Sequence, residues 1–129
     1  MKIPEELKYH KEHTWVRVSG KKAVIGITDY AQQQLGDIVY IDLPEIDSEI
    51  EANTEMAEIE STKATSSVIA PVTGVVIEVN EDLAESPELI NEDPYGKGWI
   101  AKVELEDASE LDELMDAGEY ASFIEEEGK

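Results

Sequence analysis

A primary amine is one of the few groups in this chain suited to covalent chemistry, and one lysine stands apart from the others. Between Lys22 and Lys97, Lys63 is the single basic residue, set among seventeen acidic ones in the run Glu60-Ser61-Thr62-Lys63-Ala64-Thr65. On its amino side Met56-Ala57-Glu58-Ile59 alternates like a half-buried strand, and on its carboxyl side Ser67-Val68-Ile69-Ala70-Pro71-Val72-Thr73-Gly74 reads as a second strand closed by a turn. A lysine carried between two strands sits at the tip of a hairpin, its amine in solvent and its backbone held rigid. That is the placement a modifying enzyme needs. A solubilising lysine on a loop tip is the ordinary account of such a position, and spacing alone does not displace it.

Other reactive constellations are missing. His10 and His13 lie three apart, but no cysteine joins them and there is no His-Glu-x-x-His motif, so each reads as a satisfied surface or core histidine. Carboxylates are so abundant that any pair would serve as a nominal acid and base, which makes no pair informative. The chain has no glycine-rich phosphate loop and no Gly-x-Ser-x-Gly elbow. With no cysteine there is no disulfide framework, thiolate nucleophile or Cys-ligated metal. Chemistry here would pass through a group attached to the chain.

The charge narrows the partners. Ten basic against thirty-one acidic residues leave a formal net charge of −21, which repels phosphate backbones and anionic lipid surfaces. Nucleic acid and membrane are thereby disfavoured, and basic protein partners or a salty habitat favoured. No apolar run approaches the roughly 20 residues needed to cross a bilayer. The start, Met1-Lys2-Ile3-Pro4-Glu5-Glu6, resembles neither a secretory signal nor a transit peptide, so the expected location is the cytoplasm. A chain of 129 residues has room for one domain, 1–129, with a modest core.

The elements that must position Lys63 are short and mostly β. Trp15-Val16-Arg17-Val18 and Ala23-Val24-Ile25-Gly26-Ile27 flank Ser19-Gly20-Lys21-Lys22 as a hairpin. Thr28 caps a short helix through Leu35 that Gly36 stops. Ile38 to Leu43, Val75 to Val79 and Trp99 to Leu105 are further strands, the last with Trp99, Ala101, Val103 and Leu105 on one face. A helical segment is expected over about 107–125. In it Asp107 or Ser109 caps a helix carrying Leu111, Leu114 and Met115, and Gly118 separates that helix from a shorter turn around Tyr120, Phe123 and Ile124. Gly36-Asp37-Ile38-Val39-Tyr40-Ile41 and Gly74-Val75-Val76-Ile77-Glu78-Val79 echo each other, which suggests two similar β halves with the lysine hairpin between them.

The motifs then carry a family resemblance. Glu60-Ser61-Thr62-Lys63-Ala64, followed by Ala70-Pro71-Val72-Thr73-Gly74 and Val79-Asn80, resembles the lipoyl-lysine hairpin of the glycine cleavage H proteins. His13-Thr14-Trp15-Val16, Gly26-Ile27-Thr28-Asp29-Tyr30-Ala31-Gln32, Leu35-Gly36-Asp37-Ile38-Val39, Pro87-Glu88-Leu89-Ile90-Asn91, Asp93-Pro94-Tyr95-Gly96-Lys97-Gly98-Trp99 and Leu111-Asp112-Glu113-Leu114-Met115-Asp116 resemble successive signatures of the same family. The match spans nearly the whole chain, and its Asp-Pro-Tyr-Gly-x-Gly-Trp loop is the most specific part.

The resemblance implies a mainly β fold, a barrel-sandwich hybrid of the lipoyl- and biotinyl-carrier type, with a short internal helix and a carboxyl-terminal helix. It implies that Lys63 carries lipoic acid in amide linkage, installed by a lipoate ligase or a lipoyl/octanoyl transferase. The chain would then be a carrier and not an enzyme. It would take the aminomethyl group of glycine from a pyridoxal-phosphate glycine decarboxylase to a tetrahydrofolate-dependent aminomethyltransferase, and be reoxidised by dihydrolipoyl dehydrogenase. Such an arm can rest in a groove on the protein and swing out on its tether.

Three positions depart from the family pattern. Thr14 stands where glutamate is common, which puts any role of that glutamate toward the loaded arm in doubt. Thr62 stands where valine is common, and Asn53 replaces a turn glycine, a tolerable exchange because asparagine enters the left-handed region readily. Among rivals, a biotin carrier typically flanks its lysine with methionines, whereas Thr62 and Ala64 flank Lys63. The lipoyl domains of 2-oxoacid dehydrogenase complexes are shorter and carry Ala- and Pro-rich linkers. An H-like lipoate-binding protein for lipoyl relay or sulfur oxidation shares most of these motifs.

Overall fold

The computed structural model describes residues 2–127. Its strands are β1 (Lys8–Tyr9), β2 (Thr14–Ser19), β3 (Lys22–Ile27), β4 (Ile38–Asp42), β5 (Glu49–Ile50), β6 (Glu55–Ser61), β7 (Thr65–Ile69), β8 (Gly74–Val79) and β9 (Ala101–Leu105). Helices α1 (Asp29–Leu35), α2 (Asp82–Glu85), α3 (Leu89–Glu92) and α4 (Ala117–Glu127) lie between and after them, with a 3-10 turn at Ala108–Glu113. The strands form two open antiparallel sheets, one of six strands in the order β1-β2-β3-β9-β8-β5 and one of three in the order β4-β6-β7.

Apolar residues of both sheets share one core. Val16, Ile25, Val76 and Val103 of the larger sheet join Ile41, Ile59 and Val68 of the smaller, all buried. A second, aromatic cluster lies where β1, β2 and α4 meet. Leu7, Tyr9, Trp15, Tyr95, Tyr120 and Ile124 fill it, with Trp99 and Met115 against its edge. The Tyr9 and Tyr120 rings stack at 4.6 Å between centroids and 7° between planes.

Local sequence explains the elements it flanks. The β2–β3 turn closes with Gly20 at φ 63°. Thr28 caps α1 by accepting from Ala31 N–H, and Gly36 ends it at φ 80° and ψ −153°, a region open essentially to glycine alone. Asn53 indeed takes a left-handed backbone, φ 71°.

Four expectations need correction. The strand after Lys63 ends at Ile69, so Gly74 closes no turn. Gly74 is the first residue of β8, opposite Leu105, and a β-carbon there would stand 2.3 Å from the Glu104 carbonyl oxygen, so its glycine follows from a neighbouring strand. Trp99 precedes β9 and packs in the aromatic cluster, away from Ala101 and Val103. At the carboxyl end the order is reversed. Asp107 caps only a 3-10 turn, and the longer helix is α4, which contains Gly118. Met115 pairs with Tyr9 through two backbone hydrogen bonds, and this long-range bridge breaks the segment there. Finally, the two echoing segments lie in different sheets of unequal size.

Candidate functional site

Lys63 occupies the turn between β6 and β7, exposed, and the turn is closed by its own side chains. The Ser61 hydroxyl oxygen accepts from Lys63 N–H at 3.3 Å and Ala64 N–H at 3.1 Å, and Ser61 N–H donates to the Ala64 carbonyl at 2.8 Å. One serine thus satisfies the backbone on both sides of the lysine. This is the local side chain to backbone bonding that serine favours in turns.

A second contact ties the tip to the rest of the molecule. Thr62 N–H donates to the Asp37 carbonyl at 3.0 Å, in the connector from α1 to β4. Asn91 clamps that connector from the other side. Its side-chain amide donates to the Gly36 carbonyl at 2.8 Å and to Gln32 Oε1 at 2.9 Å, while its oxygen accepts from Ile38 N–H at 2.9 Å. The Lys63 stem lies over Gly36, where a β-carbon would come within 2.8 Å of Lys63 Cε. The amine therefore leaves a fixed backbone by a stem that rests on a bare one.

Beside the tip runs a groove of ≈ 300 Å³ between α1, β7 and the end of α4. Ile27, Ala31, Leu35, Ile59 and Val68 give it an apolar wall, and Tyr30, Ser66 and Ser67 give it polar edges. His13, Glu12 and Glu127 also line it. Thr14, the departure in the His-x-Trp signature, is wholly buried and donates its hydroxyl to the Ile69 carbonyl at 3.0 Å, so it supplies no group to the groove.

Both histidines have partners. His10 Nδ1 accepts from Glu12 N–H at 3.0 Å, which leaves Nε2 to donate to Asn53 Oδ1 at 2.6 Å. His13 belongs to a longer chain: Ala31 N–H donates to Thr28 Oγ1, which lies 2.7 Å from the Tyr120 hydroxyl, itself 2.8 Å from His13 Nδ1. His13 Nε2 meets Glu127 at 2.9 Å. Burial pushes the His13 imidazole below its ordinary value and outweighs the opposing pull of Glu127. A neutral ring suits this chain, since it can donate to Glu127 and accept from Tyr120. Among the described residues no group of three His, Cys, Asp or Glu side chains could hold a metal ion. No helix among the described residues is long and apolar enough to cross a membrane.

The family loop at Asp93-Pro94-Tyr95-Gly96-Lys97-Gly98-Trp99 is structural. Its Pro94 carbonyl accepts from the buried Trp15 indole at 3.0 Å, and Asn80 donates to the Lys97 and Trp99 carbonyls. The Tyr95 hydroxyl accepts from Asp29 N–H and donates to the Lys2 carbonyl, and burial pushes its pKa up to about 12. Lys63 lies in a turn between two strands, as its flanking residues suggest, but its supports Ser61, Gly36 and Asn91 are not among the residues the sequence points to in that role. Ser61 was legible from turn chemistry. Asn91 acts 53 residues from Ile38 in sequence and carried no local signal.

Comparison with known proteins follows the same lines. Residues 7–127 match the family model described as Glycine cleavage H-protein. The chain is 53% identical over 127 residues to the glycine cleavage system H protein of Carboxydothermus hydrogenoformans, covering 98% of each. It is 53% identical over 126 residues to that of Staphylococcus saprophyticus, covering 98% of this chain and all of the relative. A crystal structure of the H protein from Mycobacterium marinum superposes with a TM-score of 0.86 at 36% identity, over 93% of this chain and 97% of the other.

Proposed function

Because the chain belongs to the glycine cleavage H-protein family, we propose that it is the lipoyl carrier of a glycine cleavage system, with lipoic acid joined in amide linkage to Lys63. In this reading residues 1–129 act as one carrier domain in the cytoplasm. A lipoate ligase or lipoyl/octanoyl transferase loads it. Glycine decarboxylase, aminomethyltransferase and dihydrolipoyl dehydrogenase then use it in turn as a shared substrate. The observation that carries the reading is Lys63 itself, exposed at a turn that Ser61 and Asp37 hold, with no other basic residue between Lys22 and Lys97.

The residues around the tip fit such a group. An acylated lysine loses its charge and gains a long apolar chain, and the wall of Ile27, Ala31, Leu35, Ile59 and Val68 offers that chain a place out of water. When bound, the lipoyl group supplies a reducible disulfide whose sulfur takes the aminomethyl group. The protein's own part is to hold the tether, to exclude water from the groove and to place carboxylates along it. Glu12 and Glu127 line the same groove, and a carboxylate near an amine on the arm would favour the protonated amine.

Peptide mapping after incubation with lipoate ligase tests the assignment. One lipoyl group on Lys63 is expected. Lipoate on Lys21 or Lys97, or biotin on Lys63 in protein from the host, would refute it.

A further inference from the structure

Few large apolar side chains stay outside the core, and two of them are consecutive. Val39 and Tyr40 are each 53% exposed. An unbroken strand sends neighbouring side chains to opposite faces, so one of the two would ordinarily be buried. A bulge changes the phase: β4 advances two residues, from Ile38 to Tyr40, while its partner β6 moves one, from Ser61 to Glu60. Ile38 and Ile41 therefore both turn inward, and Val39, Tyr40 and Asp42 all turn out.

The doublet lies beside the lysine turn. Ile38 opposes Ser61, the residue that closes the turn, and Tyr40 opposes Glu60. Acidic side chains rim it. Asp37, Glu58 and Glu60 are exposed, and Asp42 directly opposes Glu58 across the strands. Like charges in that relation oppose pairing. Among the described residues the ion pairs are His13 with Glu127 and Lys102 with Glu78, and neither involves these carboxylates. Lys63, the cation of the turn itself, is the one that acylation neutralises.

We propose that Val39 and Tyr40 are the contact by which the carrier docks on glycine decarboxylase, seated in an apolar cleft whose rim carries arginine and lysine. The inference rests on the carrier reading of Lys63. Its occupant follows from charge complementarity. An enzyme whose substrate is a carboxylate and whose cofactor carries a phosphate needs a positive approach to its active site, and a rim of that sign meets the carboxylates around the doublet. An enzyme that admits the arm must close around the tip, and the doublet is an exposed apolar surface flanking it. A large exposed aromatic with a β-branched neighbour is the kind of anchor that carries binding energy in such interfaces.

The test uses full-length protein lipoylated by ligase and glycine-dependent carbon dioxide exchange by glycine decarboxylase, with carrier concentration varied. The double variant Val39→Ser/Tyr40→Ser should raise the KM for carrier about tenfold or more with kcat at saturation unchanged. Ile46→Ser, which removes another half-exposed apolar residue from the loop after β4, should leave KM within about twofold. Tyr40→Phe keeps the ring and should keep the wild-type KM. Should the double variant fold poorly, Val39→Thr retains shape and β-branching and should still raise KM. Equal KM values for the double variant and Ile46→Ser would overturn the docking role, as would a fall in kcat alone. A KM change confined to the aminomethyltransferase would overturn the choice of partner. Absence of lipoate on Lys63 in the wild-type protein would instead count against the carrier reading, before any variant is compared.

Discussion

The lysine turn and the aromatic cluster are held by different kinds of bond. At Lys63 the β6–β7 turn relies on a serine that bonds residues two and three positions away and on one backbone tie to Asp37, while longer ties, Asn91 to Ile38 and Thr14 to Ile69, hold the strands behind it. Elsewhere the six-stranded sheet is locked by side chains far apart in sequence: His13 with Tyr120, Trp15 with Pro94, Tyr95 with Lys2 and Asn80 with Lys97. Long-range buried bonds resist local opening, whereas a turn closed by its neighbours opens at little cost to the rest. A carrier tolerates that division. The part that partners handle is light, and the part that keeps it in place is rigid.

The sharpest test of this division is Lys63→Arg. The side chain is exposed, so thermal stability should change by no more than about 0.5 kcal/mol. A guanidinium cannot accept the lipoyl amide, so lipoylation and glycine-dependent exchange should vanish. Intact mass and calorimetry read the two effects separately, and retained lipoylation would end the assignment.

Trp15→Ala is the converse. It empties the centre of the aromatic cluster and frees the Pro94 carbonyl, and should cost about 3–5 kcal/mol by chemical denaturation. Protein that still folds should accept lipoate on Lys63. If lipoylation fell in step with stability, the two regions would not be separable.

Gly74→Val lies between them in effect. A valine there must push apart β8 and β9, at a cost of about 1–3 kcal/mol. Amide exchange should rise along those strands first, not in the β6–β7 hairpin.

The smallest expected effect is pH-dependent. His13 has a folded pKa below its ordinary value of 6.5, so between the two values the unfolded chain binds more protons than the folded one. The stability this confers is complete above about pH 6.5 and is lost as pH falls toward the folded value. Melting temperatures of the wild type should therefore drop more between pH 7.5 and 5.5 than those of His13→Asn, and parallel curves would show that the ring does not titrate on unfolding.

Much of the lysine site was legible because its determinants are local. Alternation marked β6, the Thr28 cap and Gly36 marked α1, and a lone cation in an acidic run marked Lys63. What stayed hidden was set by residues distant in sequence. Gly74 looked like a turn glycine because nothing nearby reveals the Glu104 carbonyl, and the Met115 bridge to Tyr9 that splits the carboxyl-terminal segment spans more than a hundred residues. The bulge at Val39 was equally silent, since it is a relation between strands and not a property of either.

The two tryptophans both belong to the aromatic cluster, and the three-stranded sheet has Tyr40 as its single aromatic residue. The protein is thus optically lopsided. Indole emission follows the foundation and is blind to the hairpin, so a fluorescence melt reports nothing about Lys63. Any spectroscopic watch on the arm has to read a phenol, Tyr40 beside the turn or Tyr30 on the groove, or a probe placed near them.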